Sequence, residues 1–133
     1  MALRLLDRGE QLEAVISSSA VRALGIAEVI SNTLAISLAV EPELYTFSAK
    51  GLYQQLKALP DHYQRLAVVS HNPAITDVTI QLLGNVTDNL PTSGIVAIDC
   101  DIDHWHKLSP QHCRMDYIDF PKNPFFKNQE LEP

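Results

Sequence analysis

No stretch of this 133-residue chain is long and apolar enough to span a bilayer,. The opening nine residues already carry Arg4, Asp7 and Arg8, which is too charged and too short for a secretory leader,. Cysteine is scarce, with only Cys100 and Cys113, so a disulfide framework is excluded as the basis of the fold and a reducing, cytoplasmic setting is expected,. Basic residues are outnumbered, ten Lys and Arg against sixteen Asp and Glu. The resulting charge of −6 argues against a nucleic-acid partner, although a local pocket can still be positive,. Repeats, linkers and low-complexity tracts are also missing, and a hydrophobic content of 46% suits one globular domain,. That domain is expected over residues 1–120, with 121–133, rich in proline and charge, as a loosely attached tail,.

What is present centres on Leu66-Ala67-Val68-Val69-Ser70-His71-Asn72-Pro73. Four apolar residues bounded by polar ones read as a buried strand, and a helix start follows at once, with Asn72 as N-cap and Pro73 at the first helical position. The helical pattern runs from Ala74 to Leu83 and stops at Gly84,. His71 therefore falls at the carboxyl end of a strand, the edge of an open α/β sheet where ligands bind, beside a helix N-terminus suited to an anion.

An earlier stretch repeats the design. Ala14-Val15-Ile16 reads as a strand, Ser17-Ser18-Ser19 as a polar turn with a capping serine, and Ala20 to Leu34 as a helix,. Arg22 falls in its first turn, where a cation opposes the helix dipole by a few tenths of a kcal/mol, up to about 1. An anion at the same spot would account for it.

These residues carry a resemblance. Val15 to Ala23 resembles the "SSPxxRAxxTA" segment of the histidine phosphatase superfamily, and Val68 to Pro73 its "VxHNP" segment. Leu90 to Val96 is similar to the "MPTGGV" of SixA-type phosphohistidine phosphatases, and Tyr117 to Lys122 to their carboxyl end. The resemblance implies a three-layer α/β/α, phosphoglycerate mutase-like fold with a mostly parallel sheet, and a phosphate pocket of two histidines and two arginines. Arg22 matches the second arginine and His71 the second histidine. Backbone N–H groups near Ser18 and Asn72 are expected to assist, and Glu43 matches the position that is a general acid in some members. No metal or other cofactor is implied. The implied substrate is a phosphohistidine-bearing protein or a small phosphoester, handled by a monomer.

The sequence departs from that pattern in four places. It contains no Arg-His dipeptide, and its first histidine is His62, so the Arg-His-Gly strand bearing the nucleophile has no match. Met1 to Gly9 reads as the last turns of a helix whose first half, with the strand before it, is absent; the resemblance puts that strand between the two motif strands, and a chain without it is expected to fold poorly or associate. Ser19 stands for the usual proline. Gly25 sits inside a helix at a cost of about 1 kcal/mol,.

The remaining elements are simpler. Ile36 to Leu44, broken by Pro42, reads as an edge strand, and Ser48 to Leu59 as a helix capped by Ser48,. Ile95 to Ile102 and Cys113 to Phe120 read as an antiparallel hairpin at one sheet edge,. His104, His106, His112 and Cys113 fit no established zinc spacing, and no metal is expected there,. Two functions follow: a SixA-type phosphatase, inactive as this chain, or a non-catalytic phosphate- or phosphoprotein-binding remnant.

Overall fold

Alternation of short apolar strands with amphipathic helices builds the first two thirds of the chain. The computed structural model describes residues 1–91 and 93–121, so the expected tail lies outside the described residues except for Pro121. In order come α1 (Ala2–Asp7), β1 (Ala14–Ser17), α2 (Val21–Leu34), β2 (Ser37–Val40), α3 (Ala49–Lys57), β3 (Leu66–Val69), α4 (Ala74–Leu83), β4 (Ile95–Cys100) and β5 (Cys113–Asp119). Strands β2, β1 and β3 form a parallel sheet in that spatial order. Strand β2 is at its edge, where the proline-broken pattern put it.

Successive residues of β1 point to opposite faces, and both faces are covered. Val15 packs with Ala2 and Leu5 of α1 and Ala27 and Ile30 of α2. Ile16 packs with Leu52 of α3 and Ala74, Val78 and Leu82 of α4. The result is the expected three-layer arrangement.

Helix ends follow their local chemistry. Gly9, at φ +70°, ends α1 with N–H bonds from Gly9 to the Leu6 carbonyl and from Glu10 to the Leu5 carbonyl, the Schellman pairing,. Ser48 caps α3 by accepting from the Gly51 N–H at 3.0 Å. Helix α2 ends less favourably, on Ala35 at φ 55°, ψ 48°, a left-handed conformation that costs a residue with a Cβ about 1 kcal/mol,. Conversely, a Cβ added at Gly25 meets nothing within 4 Å. Gly25→Ala and Ala35→Gly are each expected to stabilise the chain by about 0.5–1 kcal/mol. Urea unfolding midpoints of the two variants and the pair test this, and additive gains are expected because the sites share no partner.

Two expectations about the sheet need correcting. Strands β4 and β5 pair antiparallel, with a bulge between Ala97 and Ile98, but form a separate two-stranded sheet and are not joined to the edge of the parallel one. Furthermore, β1 and β3 are direct neighbours, Ser17 level with Val69, so no strand lies between the two motif strands. Among the described residues, β3 is bonded to β1 alone and β4 to β5 alone. A cleft of about 1060 Å³ is lined by Leu66 of β3, Val96, Ala97 and Ile98 of β4, and Glu10 and Leu12. All four residues of β1 are buried, whereas all four of β3 are only half-buried. A parallel strand hydrogen-bonded on both edges is ordinarily buried like β1.

Across the rest of the molecule, the amino-terminal segment clamps the end of β5. Arg4 and Asp119 are each about 1% exposed, and the guanidinium donates to the carboxylate at 3.0 Å and to the Phe120 and Pro121 carbonyls at 2.6 and 2.7 Å. Arg8 reaches the same carboxylate and lies 3.8 Å over the Tyr117 ring, whose hydroxyl donates to Glu10. Cys100 and Cys113 are opposite each other in the hairpin as free thiols, Sγ atoms 3.8 Å apart, and burial pushes Cys100 up to about 12.

Candidate functional site

Two strand-to-helix turns meet at the carboxyl edge of the parallel sheet, because the register that pairs Ser17 with Val69 brings the chain following each strand side by side. The Ser18 N–H closes the pair by donating to the Val69 carbonyl at 2.9 Å. Ser18 is fully buried, and its Oγ lies 2.8 Å from His71 Nε2 while accepting from the Ala20 N–H at 3.2 Å. With that acceptor role occupied, the Ser18 hydroxyl proton is free to be given to a neutral His71 ring.

His71 is half-buried, and burial lowers its pKa below the usual histidine value, favouring the neutral ring,. Two aromatic rings lie against it. Tyr45 and Phe47 lie with centroids 5.0 and 5.3 Å from the imidazole and meet each other edge to face at 5.8 Å. Both are more than half exposed, so faces of this aromatic wall remain open beside the histidine. Ser70 fixes the same loop by donating to the Leu44 carbonyl at 2.7 Å. None of these three residues was singled out from the sequence. The available signal was two aromatics within three positions after a proline-broken strand, in a chain only 7% aromatic.

The other anticipated residues separate. Asn72 is not the N-cap of α4; Pro73 holds that position, and the helix starts one residue later than the pattern suggested. Asn72 Oδ1 still accepts from the Thr76 N–H and hydroxyl, at 3.1 and 2.8 Å, while its amide donates to the Leu90 carbonyl. Thr76 Oγ1 in turn accepts from the Leu90 N–H, so the Leu90 to Val96 motif is tied to the start of α4. Its turn is tight: the Gly94 N–H bonds the Pro91 carbonyl, which a Cβ on Gly94 would approach to 2.8 Å.

These bonds use up donors that an anion would need. The Ser18 N–H is taken by Val69, the Ile75 N–H by the His71 carbonyl and the Thr76 N–H by Asn72. At α2 the N-cap is Ala20, with no side-chain cap, and among the described residues no backbone carbonyl takes the Val21, Arg22 and Ala23 N–H groups,. Arg22 is exposed in that first turn, with no ion pair to Glu28 or to any other described carboxylate.

Glu43 lies exposed in a single 3₁₀ turn, Pro42–Leu44, with no hydrogen bond among the described residues. His62 precedes β3 and so lies at the sheet's opposite end from His71. The chain from His104 to His112 belongs to the β4–β5 connection. His71 is therefore the single histidine that the described residues bring to this edge.

No family model and no curated protein matches the chain. Among solved structures, it is similar to one bearing the name phosphohistidine phosphatase SixA from Agrobacterium tumefaciens, at a TM-score of 0.72 and 20% identity over 90% of this chain and 75% of that one. A second of that name, from Nakamurella multipartitia, gives a TM-score of 0.71 and 15% identity, covering 92% and 78%. The chain thus has the SixA-type histidine phosphatase fold, as the sequence resemblance implied.

Proposed function

We propose, for a chain with this fold, that the edge shared by the two turns is a phosphoryl-binding site of a SixA-type phosphohistidine phosphatase. The reading rests on one observation, the 2.8 Å bond between Ser18 Oγ and His71 Nε2 that couples the two turns. In it, Arg22 supplies a fixed positive charge, His71 a donor that charges when an anion arrives, and the first-turn N–H groups of α2 the remaining hydrogen bonds. Ser18 orients the imidazole, and Tyr45 and Phe47 exclude water from it, strengthening every charge interaction inside. The substrate is a phosphohistidine on a protein or a small phosphoester.

The 133 residues supply the clamp but not the nucleophile, since they hold no Arg-His pair. The chain as given is therefore a phosphate- or phosphoprotein-binding body, and turnover needs a histidine from outside these residues.

Calorimetric titration with sulfate, which stays doubly ionised across the range used, tests the clamp. Arg22→Gln and His71→Gln are each expected to weaken binding about tenfold, or ~1.4 kcal/mol. Burial favours the neutral His71 ring in the free protein, whereas a bound anion favours the charged one. Affinity for sulfate should therefore rise as pH falls from about 8 toward 6, and His71→Gln should flatten that slope. Equal sulfate affinity in all three proteins would defeat the reading.

A further inference from the structure

At the opposite end of β3 from His71, three metal-ligating side chains from two separate segments converge. Asp61 lies in the turn closed by the Tyr63 N–H to the Pro60 carbonyl, and His104 and His106 flank Trp105 in the β4–β5 connection. One ligand atom from each of the three lies within 4.8 Å of the others. His104 Nδ1 is 3.1 Å from Asp61 Oδ2, and the two imidazoles are stacked, centroids 5.4 Å apart and 21° from parallel. Metal–ligand distances of about 2.0–2.1 Å put neighbouring donors of a tetrahedral ion about 3.3 Å apart, close to the first of these separations.

The cluster is also held in place. The Trp105 indole N–H donates to the Tyr63 carbonyl and its backbone N–H to Asp61 Oδ1, both at 3.0 Å, pinning the residue between the histidines to the loop that carries the aspartate. Asp61 Oδ1 is thus engaged by the Trp105 N–H, while its Oδ2 faces His104 Nδ1. Sequence spacing pointed away from a metal because it grouped His104 and His106 with His112 and Cys113. The missing ligand is distant in sequence, on the loop before β3.

We infer that Asp61, His104 and His106 form a surface site for a divalent transition ion of the zinc, cobalt or nickel class. Two imidazoles and one carboxylate suit these ions, whereas an all-oxygen set would suit magnesium or calcium. Three protein ligands leave a position for water. Because Asp61 precedes β3 and the histidines follow β4, the bound ion bridges the two sheets at one end of the open cleft and stabilises their relative placement,.

The test uses the full chain and the metal ion alone. Cobalt(II) titrated into the protein should give visible d–d absorption saturating at one equivalent, and zinc should displace it and raise the melting temperature. His104→Gln and His106→Gln should each weaken cobalt binding at least about tenfold, whereas His112→Gln should leave it unchanged. Zinc added to the unmodified protein should shift the imidazole NMR signals of His104 and His106 ahead of those of His62 and His71, a readout that depends on no variant folding. No saturable cobalt spectrum, binding untouched by the His104 and His106 changes, or binding lost with His112→Gln would each overturn the assignment.

Discussion

Residues 1–133, incubated with p-nitrophenyl phosphate or a phosphohistidine protein, are expected to release phosphate about 10⁴- to 10⁶-fold more slowly than a protein of this fold carrying its nucleophile, the usual consequence of removing one,. The physical reason is that clamp electrostatics stabilise transferring charge but form no bond to phosphorus. His62 lies at the wrong end of the sheet, and His104, His106 and His112 lie in the β4–β5 connection, so no other described histidine is expected to take over. The cleft between β3 and β4 supplies a sharper form of the experiment, because among the described residues both flanking strands have one unbonded edge. A synthetic peptide of a few apolar residues followed by Arg-His-Gly is expected to add as a strand there and restore measurable turnover, through main-chain bonds of the β-augmentation kind. Turnover by the chain alone, lost on His71→Gln, would show that the nucleophile has been wrongly excluded.

Arg4→Met is expected to destabilise the chain by about 3–5 kcal/mol, since it removes one partner of a buried ion pair, the guanidinium 3.0 Å from the Asp119 carboxylate,. Against a total of about 5–15 kcal/mol for a domain, that loss is enough to leave the variant largely unfolded at room temperature if the native stability is at the lower end. Arg8, at 3.4 Å from the same carboxylate and part exposed, compensates only partly. Adding Asp119→Leu should recover some of the loss by removing the buried charge, but not all, because the Phe120 and Pro121 carbonyls would still lack the donor Arg4 provides,. Urea unfolding followed by circular dichroism measures both. A midpoint for Arg4→Met within experimental error of the parent would mean that the pair is dispensable.

The parallel core and its order were legible in the sequence because they rest on local signals. Leu66 to Val69 is bounded by polar residues on both sides and is the strand observed, residue for residue. Pro42 demoted the Ile36 to Leu44 run to an edge, and Gly84 and Ser48 punctuated α4 and α3 where they stand. His71 at a strand's carboxyl end followed from the same reasoning. Whatever depends on partners distant in the chain was decided by the tertiary structure. Arg4 is buried by a pairing with Asp119, 115 positions away, that no local pattern records. Tyr45 and Phe47 gained a role only from the loop that folds them against His71. Asp61 met His104 only when the two sheets were set side by side. The split between those sheets was equally unreadable, since a strand's hydrophobic pattern records which faces are covered and says nothing of whether its edges are bonded.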